Sequence, residues 1–224
     1  MKTDFINNVT HELKTPLATL GIATKSLRNE AILANPDALR NTLGIVERQN
    51  TRLQKLIDQV LTNSLSAEEL QLHKEQVSDT TFFNELLFDF KTATQHGSLE
   101  VINAVYEPEV LLRVDRFHLT TALLNILENA VKYGNETVNI KVETVLKNNL
   151  YVICISDNGI GITEKDQKAI FDKFYRAGNV NVHNVKGLGL GLYFTHQIIT
   201  AHGGTIDINS AEGKGTTFTI KLPI

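Results

Sequence analysis

His11 and Glu12 are neighbours in a stretch whose apolar residues recur at alternating intervals of three and four: Ile6, Val9, Leu13, Pro16, Leu20, Ala23 and Leu27. That is the a and d pattern of a coiled-coil helix. Counted from Ile6 as a, His11 falls at f, farthest from the seam, and Thr15 falls at c on the same exposed side. An imidazole beside a carboxylate is a competent nucleophile, because Glu12 can hydrogen-bond one ring nitrogen and leave the other free to attack. A solvated surface histidine would read the same way. Pro16 has no N–H for the preceding turn and can bend the helix near His11, with Leu17 covering its place in the seam.

Three further groups carry chemical potential. Asn125, Glu128, Asn129 and Lys132 fall on one helical face, with Leu123, Leu127, Ala130 and Val131 on the other. Amide oxygens suit a hard cation and an ammonium suits phosphate, although a solvated helix face would look alike. Asp157-Asn158-Gly159-Ile160-Gly161 ends a strand-like run. Its carboxylate can accept a hydrogen bond while the glycines let the backbone approach a flat ligand; a plain tight turn is the alternative. Lys186-Gly187-Leu188-Gly189-Leu190-Gly191 runs into a helix, where backbone amides and the positive end of the dipole can meet phosphate oxygens. It is neither of the familiar phosphate loops. Ile208 stands where a P-loop before Gly213-Lys214 needs glycine, and Leu192 stands where a dinucleotide fingerprint needs its third glycine.

The elements that must position these groups fall into two sets. Leu39, Leu43, Val46, Asn50, Leu53, Ile57 and Val60 repeat the heptad rule after a turn at Ala34-Asn35-Pro36-Asp37, where the proline opens a second helix. A two-helix hairpin cannot cover both of its apolar faces alone, so a dimeric four-helix bundle is expected. After Ser64-Leu65-Ser66 the period changes. Helices are expected over Thr80–Ala93, Arg116–Tyr133 and Gly189–His202. Strands are expected over Leu99–Val105, Glu109–Val114, Thr137–Leu146, Asn149–Ser156, Thr205–Ser210 and Thr216–Leu222, with a weak one near Leu70–Gln76. Turn signals at Lys147-Asn148-Asn149 and Glu212-Gly213-Lys214-Gly215 make much of the sheet antiparallel, in an α/β sandwich with helices on one face. The expected domains are 1–66 and 67–224.

With 224 residues, 42% of them hydrophobic, the chain can bury two small cores. A net charge of −3 gives no electrostatic case for nucleic acid or for an anionic membrane surface. The one cysteine, Cys154, excludes an intrachain disulfide framework and fits a reducing cytosol. No apolar run approaches a membrane span, and no signal peptide is expected.

Phe5 to Leu17, Phe-Ile-Asn-Asn-Val-Thr-His-Glu-Leu-Lys-Thr-Pro-Leu, resembles the phosphoacceptor box of sensor histidine kinases. The family often has serine before the histidine and arginine where Lys14 stands. Asn125 to Tyr133 resembles the family's asparagine box, shared with gyrase and the mismatch-repair ATPases, and Asp157 to Gly161 its first glycine box. Ile170 to Arg176 is similar to the phenylalanine box, although its aromatics also read as core. Lys186 to Leu192 matches the second glycine box, and Glu212 to Thr216 resembles the last glycine element, which would otherwise be a hairpin turn. The boxes follow the family's order across essentially the whole chain.

The resemblance implies an α+β protein: a helical hairpin forming a dimeric four-helix bundle, then an ATP-binding sandwich of the gyrase and histidine-kinase superfamily. It implies an autokinase that moves the γ-phosphate of ATP onto His11, with Glu12 as base and Thr15 positioning water for phosphatase activity. Asn129 would ligate Mg²⁺, Asn125 and Lys132 would contact phosphates, and Tyr133 would lie near the adenine, whose amino group Asp157 would accept. Gly159, Gly161, Phe174, Arg176, Lys186, Gly187, Leu188, Gly189, Gly191 and Thr216 complete the implied nucleotide site, with residues 177–186 as a lid. The implied partners are a second copy of the chain and a response-regulator receiver domain, with no nucleic acid and no membrane contact by this segment. The implied setting is cytoplasmic, with the parent protein anchored in a membrane by an upstream segment. A nucleotide-sensing scaffold that transfers nothing, and an ATP-driven clamp, are the competing readings. Intact His11, Glu12 and Asn129 weigh against the first, and the phosphoacceptor hairpin against the second.

Overall fold

The computed structural model describes residues 2–62, 70–94, 98–106, 108–176 and 189–224. The described residues up to 62 form one compact unit and those from 70 onward form another.

The first unit is a helical hairpin. α1 (Lys2–Ser26) runs on through Pro16, α2 (Glu30–Leu33) is a short turn of helix, and α3 (Pro36–Thr62) returns along α1. Pro36 opens α3 as expected, and the Asn35 side chain caps it by accepting the N–H groups of Asp37 and Ala38, each at 3.1 Å. Pro16 and Ala23 are buried, whereas Leu17 is 54% exposed. The proline therefore fills its own seam position, and the expectation that Leu17 covers for it is corrected. On α3 it is Thr42 that is buried, its hydroxyl satisfied by the carbonyl of Ala38 at 2.7 Å. Leu43 and Asn50, one heptad apart, are exposed. The side chains of Ile6, Val9, Ile57 and Val60 lie outside the described residues. No helix among the described residues is long and apolar enough to cross a membrane.

The second unit is a helix-on-sheet sandwich. Its strands are β1 (Glu75–Ser78), β2 (Leu99–Ala104), β3 (Leu111–Val114), β4 (Val138–Lys147), β5 (Leu150–Asp157), β6 (Thr205–Ala211) and β7 (Gly215–Pro223). Its helices are α4 (Asp79–Ala93), α5 (Arg116–Lys132), α6 (Glu164–Gln167) and α7 (Gly191–Ala201). Five strands form one sheet in the order β2-β4-β5-β7-β6. Its hairpins are antiparallel as the turn signals required, and Asn148 and Asn149 at φ 52° and 59° make the tight β4–β5 turn. β2 runs parallel to β4, so this edge is reached by a crossover through α5. The weak strand expected near Leu70–Gln76 forms at Glu75–Ser78 and pairs with β3 in a separate two-stranded sheet.

Alternate residues explain the layering. Val138, Ile140 and Val142 of β4, Tyr151, Ile153 and Ile155 of β5, and Phe218, Ile220 and Leu222 of β7 are buried. Against them lie Leu119, Leu123, Ile126 and Leu127 of α5 and Ile198 and Ile199 of α7. The α5 face opposite this core carries the polar stripe. Asp115 caps α5 by accepting the His118 N–H at 2.9 Å, and Ser78 caps α4 through Thr81 N–H at 3.2 Å.

Candidate functional site

The site forms where β5 ends. Asp157 is the last residue of β5 and stands opposite Thr216 in the β5–β7 register. Its Oδ1 accepts the N–H of Gly159 at 2.8 Å and the N–H of Thr216 at 3.2 Å. Oδ2 has no protein partner among the described residues. Burial pushes the Asp157 carboxyl above its ordinary range, and the two N–H groups pull it part of the way back.

Two glycines make this geometry possible. At Gly161 (φ +72°) a Cβ would lie 2.0 Å from the carbonyl oxygen of Ala211. At Gly215 (φ +85°) it would lie 2.0 Å from the carbonyl oxygen of Asp157. The sequence suggested that Gly159 and Gly161 let backbone approach a ligand, and at Gly159 too a Cβ would meet backbone, 2.7 Å from the carbonyl oxygen of Tyr133. Here they let backbone approach backbone, locking the 157–161 turn against the 211–216 hairpin and so aiming the carboxylate. The Gly213 N–H closes the same contact on the carbonyl of Ile160 at 2.7 Å. Ser210, which no motif singled out, sits at the centre of this lock. Its hydroxyl lies 2.8 Å from Ile162 N, 2.8 Å from Gly215 O and 2.9 Å from Thr216 Oγ1.

α5 brings the polar stripe to the same end of the domain. The Asn125 amide donates to the carbonyl of Gly191, the first residue of α7, at 3.3 Å. The Asn129 side chain is half-buried and makes no hydrogen bond within the protein among the described residues. Lys132 lies over the Tyr133 ring, 5.1 Å from its centroid. Tyr133 closes α5, and its carbonyl accepts the Ile160 N–H at 3.1 Å, which joins the helix to the Asp157 turn. Burial raises the Tyr133 hydroxyl pKa, opposed by the positive charge of Arg176.

The aromatic stretch is part core and part scaffold. Ile170 is buried, and Phe171 packs edge-on against Phe218 with centroids 6.4 Å apart. Phe174 holds φ +70°, unusual for a bulky residue, and its N–H donates to the carbonyl of Gly189 at 3.1 Å. Lys173 lies 5.5 Å from the ring centroids of both Phe174 and Tyr193. Lys186, Gly187 and Leu188, and the stretch 177–186, lie outside the described residues. So do the side chains of His11 and Glu12, whose backbone belongs to α1; Thr15, one turn on, is exposed.

No group of three His, Cys, Asp or Glu side chains that could hold a metal occurs among the described residues. Asn129 is a different sort of group, a single amide oxygen of the hard-donor type.

Comparison with known proteins matches both units. Residues 1–67 match the family described as His Kinase A (phospho-acceptor) domain, and residues 114–224 match histidine kinase-, DNA gyrase B- and HSP90-like ATPase. The sensor protein RprX of Bacteroides fragilis is 33% identical, over 100% of this chain and 44% of its own length. The sensor histidine kinase WalK of Bacillus subtilis is 32% identical, over 99% of this chain and 36% of its own. The chain thus spans less than half the length of these relatives. The crystal structure of histidine kinase ThkA in complex with response regulator protein TrrA shares the fold, with TM-score 0.67 and 20% identity over 98% of this chain and 61% of that one.

Proposed function

Because this chain belongs to the histidine kinases, with their phospho-acceptor module followed by their ATPase module, we propose that it binds Mg-ATP in the second unit and transfers the γ-phosphate to His11. One observation carries the reading of the nucleotide site. Asp157 keeps one carboxylate oxygen without a partner among the described residues, at the mouth of a turn fixed by backbone contacts. That is a hydrogen-bond acceptor poised for the amino group of adenine. Tyr133 lies beside the same turn, with Arg176 near it. Asn129 would offer its amide oxygen to Mg²⁺, and Lys132 and the amides at Gly189 and Gly191 would hold the phosphates. Lys186, Gly187 and Leu188 would complete the phosphate loop. Held there, Mg²⁺ would supply neutralisation of charge on the phosphate oxygens.

In the transfer, the free ring nitrogen of His11 forms a bond to the γ-phosphorus as the bond to the bridging oxygen of ADP breaks. Glu12, as base, accepts the proton of the other ring nitrogen, so that the phosphorylated imidazole is left neutral. Exposed Thr15, one turn on, orients water when the chain acts as a phosphatase. The phosphate then passes to an aspartate of a receiver domain. The complex of ThkA with response regulator protein TrrA supports such a partner, and the phospho-acceptor family supports a dimer formed by the hairpin. Residues 1–66 would be the dimerisation unit and 67–224 the catalytic unit. We place both on the cytoplasmic side of a membrane-anchored parent, with no membrane contact of their own.

Incubation with γ-labelled ATP tests this. Label should be retained on the chain, acid-labile and alkali-stable as a phosphoramidate is. It should be lost in His11→Gln, which should still bind nucleotide. Acid-stable label, or label surviving that substitution, would remove His11 from the reaction.

A further inference from the structure

The hydroxyl of Ser210, near the end of β6, has three neighbours, and counting protons among them fixes the polarity of a fourth group. A serine hydroxyl carries one proton and two acceptor sites. Gly215 O, 2.8 Å away, is a carbonyl and can only accept, so the Ser210 proton points there. The Ile162 N–H, at 2.8 Å, occupies one acceptor site. Thr216 Oγ1, at 2.9 Å, must therefore donate to the other, because Ser210 has no second proton to give. With its proton directed at Ser210, the Thr216 hydroxyl offers only lone pairs to anything else. Thr216 is 6% exposed, so bulk water does not reset this arrangement. Beside it stands Asp157, an acceptor whenever ionised, tied to the same residue through Thr216 N–H at 3.2 Å.

We propose that Ser210 is a specificity-determining residue: by taking the Thr216 proton it leaves Asp157 and Thr216, two described side chains at the base end of the nucleotide site, both presenting acceptors. Such a surface selects a purine bearing a 6-amino group and disfavours one bearing a 6-keto oxygen, which would face lone pairs with no donor to meet it. The inference rests on the reading that the base lies against Asp157. Ser210 itself need not touch the nucleotide. It acts through Thr216 as a positioning residue, and without it the Thr216 hydroxyl is free to turn its proton toward a keto oxygen.

The test is binding of ATP and of ITP, which differ at purine position 6 and share their phosphates, to the 224-residue chain. The starting protein should prefer ATP. Ser210→Ala should narrow the ATP-to-ITP ratio by about tenfold, mainly through tighter ITP. Ser210→Thr, which keeps a hydroxyl, should preserve the ratio. Thr216→Val, near-isosteric but without a hydroxyl, should narrow it alike, and adding Ser210→Ala to it should change the ratio no further. Equal weakening of both nucleotides in Ser210→Ala would overturn the proposal, as would further narrowing in the Thr216→Val background. Should Ser210→Ala fail to fold, Thr216→Val decides alone, and an unchanged ratio there sinks the idea. Asp157→Asn separates the two layers. A narrowed ratio in that variant with none in Ser210→Ala defeats the Ser210 proposal only; an unchanged ratio in both defeats the Asp157 base site as well.

Discussion

His202 accepts the backbone N–H of Asp115 at its Nε2, 2.9 Å away, across a sequence separation of 87 residues. Since Nε2 accepts, the ring proton sits on Nδ1, which donates to the carbonyl of Ile198 at 2.8 Å. The bond ties the end of α7 to the cap of α5, the two helices whose other portions carry Gly191 and Asn129. Burial, the largest influence, lowers the His202 pKa; the charge of Lys74, whose ammonium donates to the His202 carbonyl at 3.3 Å, and that of His118 add to it, while the Ile198 bond and Asp115 oppose it. Around Asp115, burial alone would raise the carboxyl, but N–H bonds from His118 and His73 outweigh it and hold it low.

The sign of the pH effect follows. A histidine whose folded pKa lies below its unfolded value binds fewer protons in the native state. Its stabilising contribution is full above the unfolded value of about 6.5 and declines as pH falls from there through the folded pKa. The thermal midpoint of the second unit should therefore drop between neutral pH and pH 5. His202→Ala should cost about 1–3 kcal/mol at neutral pH, because the Asp115 N–H is left without an acceptor, and should flatten the decline. Unfolding curves of both proteins across that range are the measurement, and parallel slopes would remove His202 as the cause.

Gly161 and Gly213 hold nearly the same φ, +72° and +74°, but only at Gly161 does an added Cβ meet anything. Gly213→Ala should cost only the left-handed penalty of about 1–2 kcal/mol. Gly161→Ala must also force Ala211 away, so it should cost more than about 3 kcal/mol and weaken nucleotide binding with it. Denaturant titration of the two variants makes the comparison, and equal costs would contradict the backbone lock.

Asp157 should make the preference for ATP over ITP depend on pH. A carboxyl pushed up by burial becomes protonated at milder acidity than one at the ordinary value of 3.8, and a protonated carboxyl can donate to a keto oxygen. The ratio should narrow as pH falls, by no more than about tenfold per pH unit for a single proton. Asp157→Asn should show no such slope. Competition binding at several pH values reads this directly, and a flat ratio in the unaltered chain would count against Asp157 at the base.

Asn50 and Leu43 share the α3 side that the hairpin leaves exposed. If that side meets a second copy, Asn50→Leu should tighten the dimer, because a polar residue at a seam position trades stability for register. Sedimentation across a dilution series tests it; no tightening would take Asn50 out of the seam.

Periodicity made the hairpin and most helices and strands legible, and the turn chemistry of Asn148-Asn149 and Glu212 to Gly215 made the antiparallel pairs legible. The parallel partnership of β2 with β4 was not, since a strand's own residues do not state its direction at a sheet edge. The departure of β1 to pair with β3 was missed for a related reason: Val77 is the one buried apolar residue in that short strand. In the candidate site, Asp157 and Thr216 were readable because glycines mark them. Ser210 and His202 were not, because their partners are backbone groups or hydroxyls brought near by the sheet, and no spacing in the chain announces such a contact.

Asp157 and Thr216 are also the terminal pair of the β5–β7 ladder, which runs from Leu150 opposite Pro223 to that point. Everything from Asn158 to Lys214 is threaded between those two strands as one long excursion. Closing it carries an entropic cost that neighbouring hairpins do not have, so the β4–β5 hairpin can zip locally while the nucleotide end waits for β7 to arrive. At that end the strand pairs give way to the bonds of the Asp157 carboxylate and of the Gly213 N–H. Nucleotide bound there should add a further clasp to these contacts, so amide exchange at Thr216 should slow on binding more than at Ile153 or Ile220.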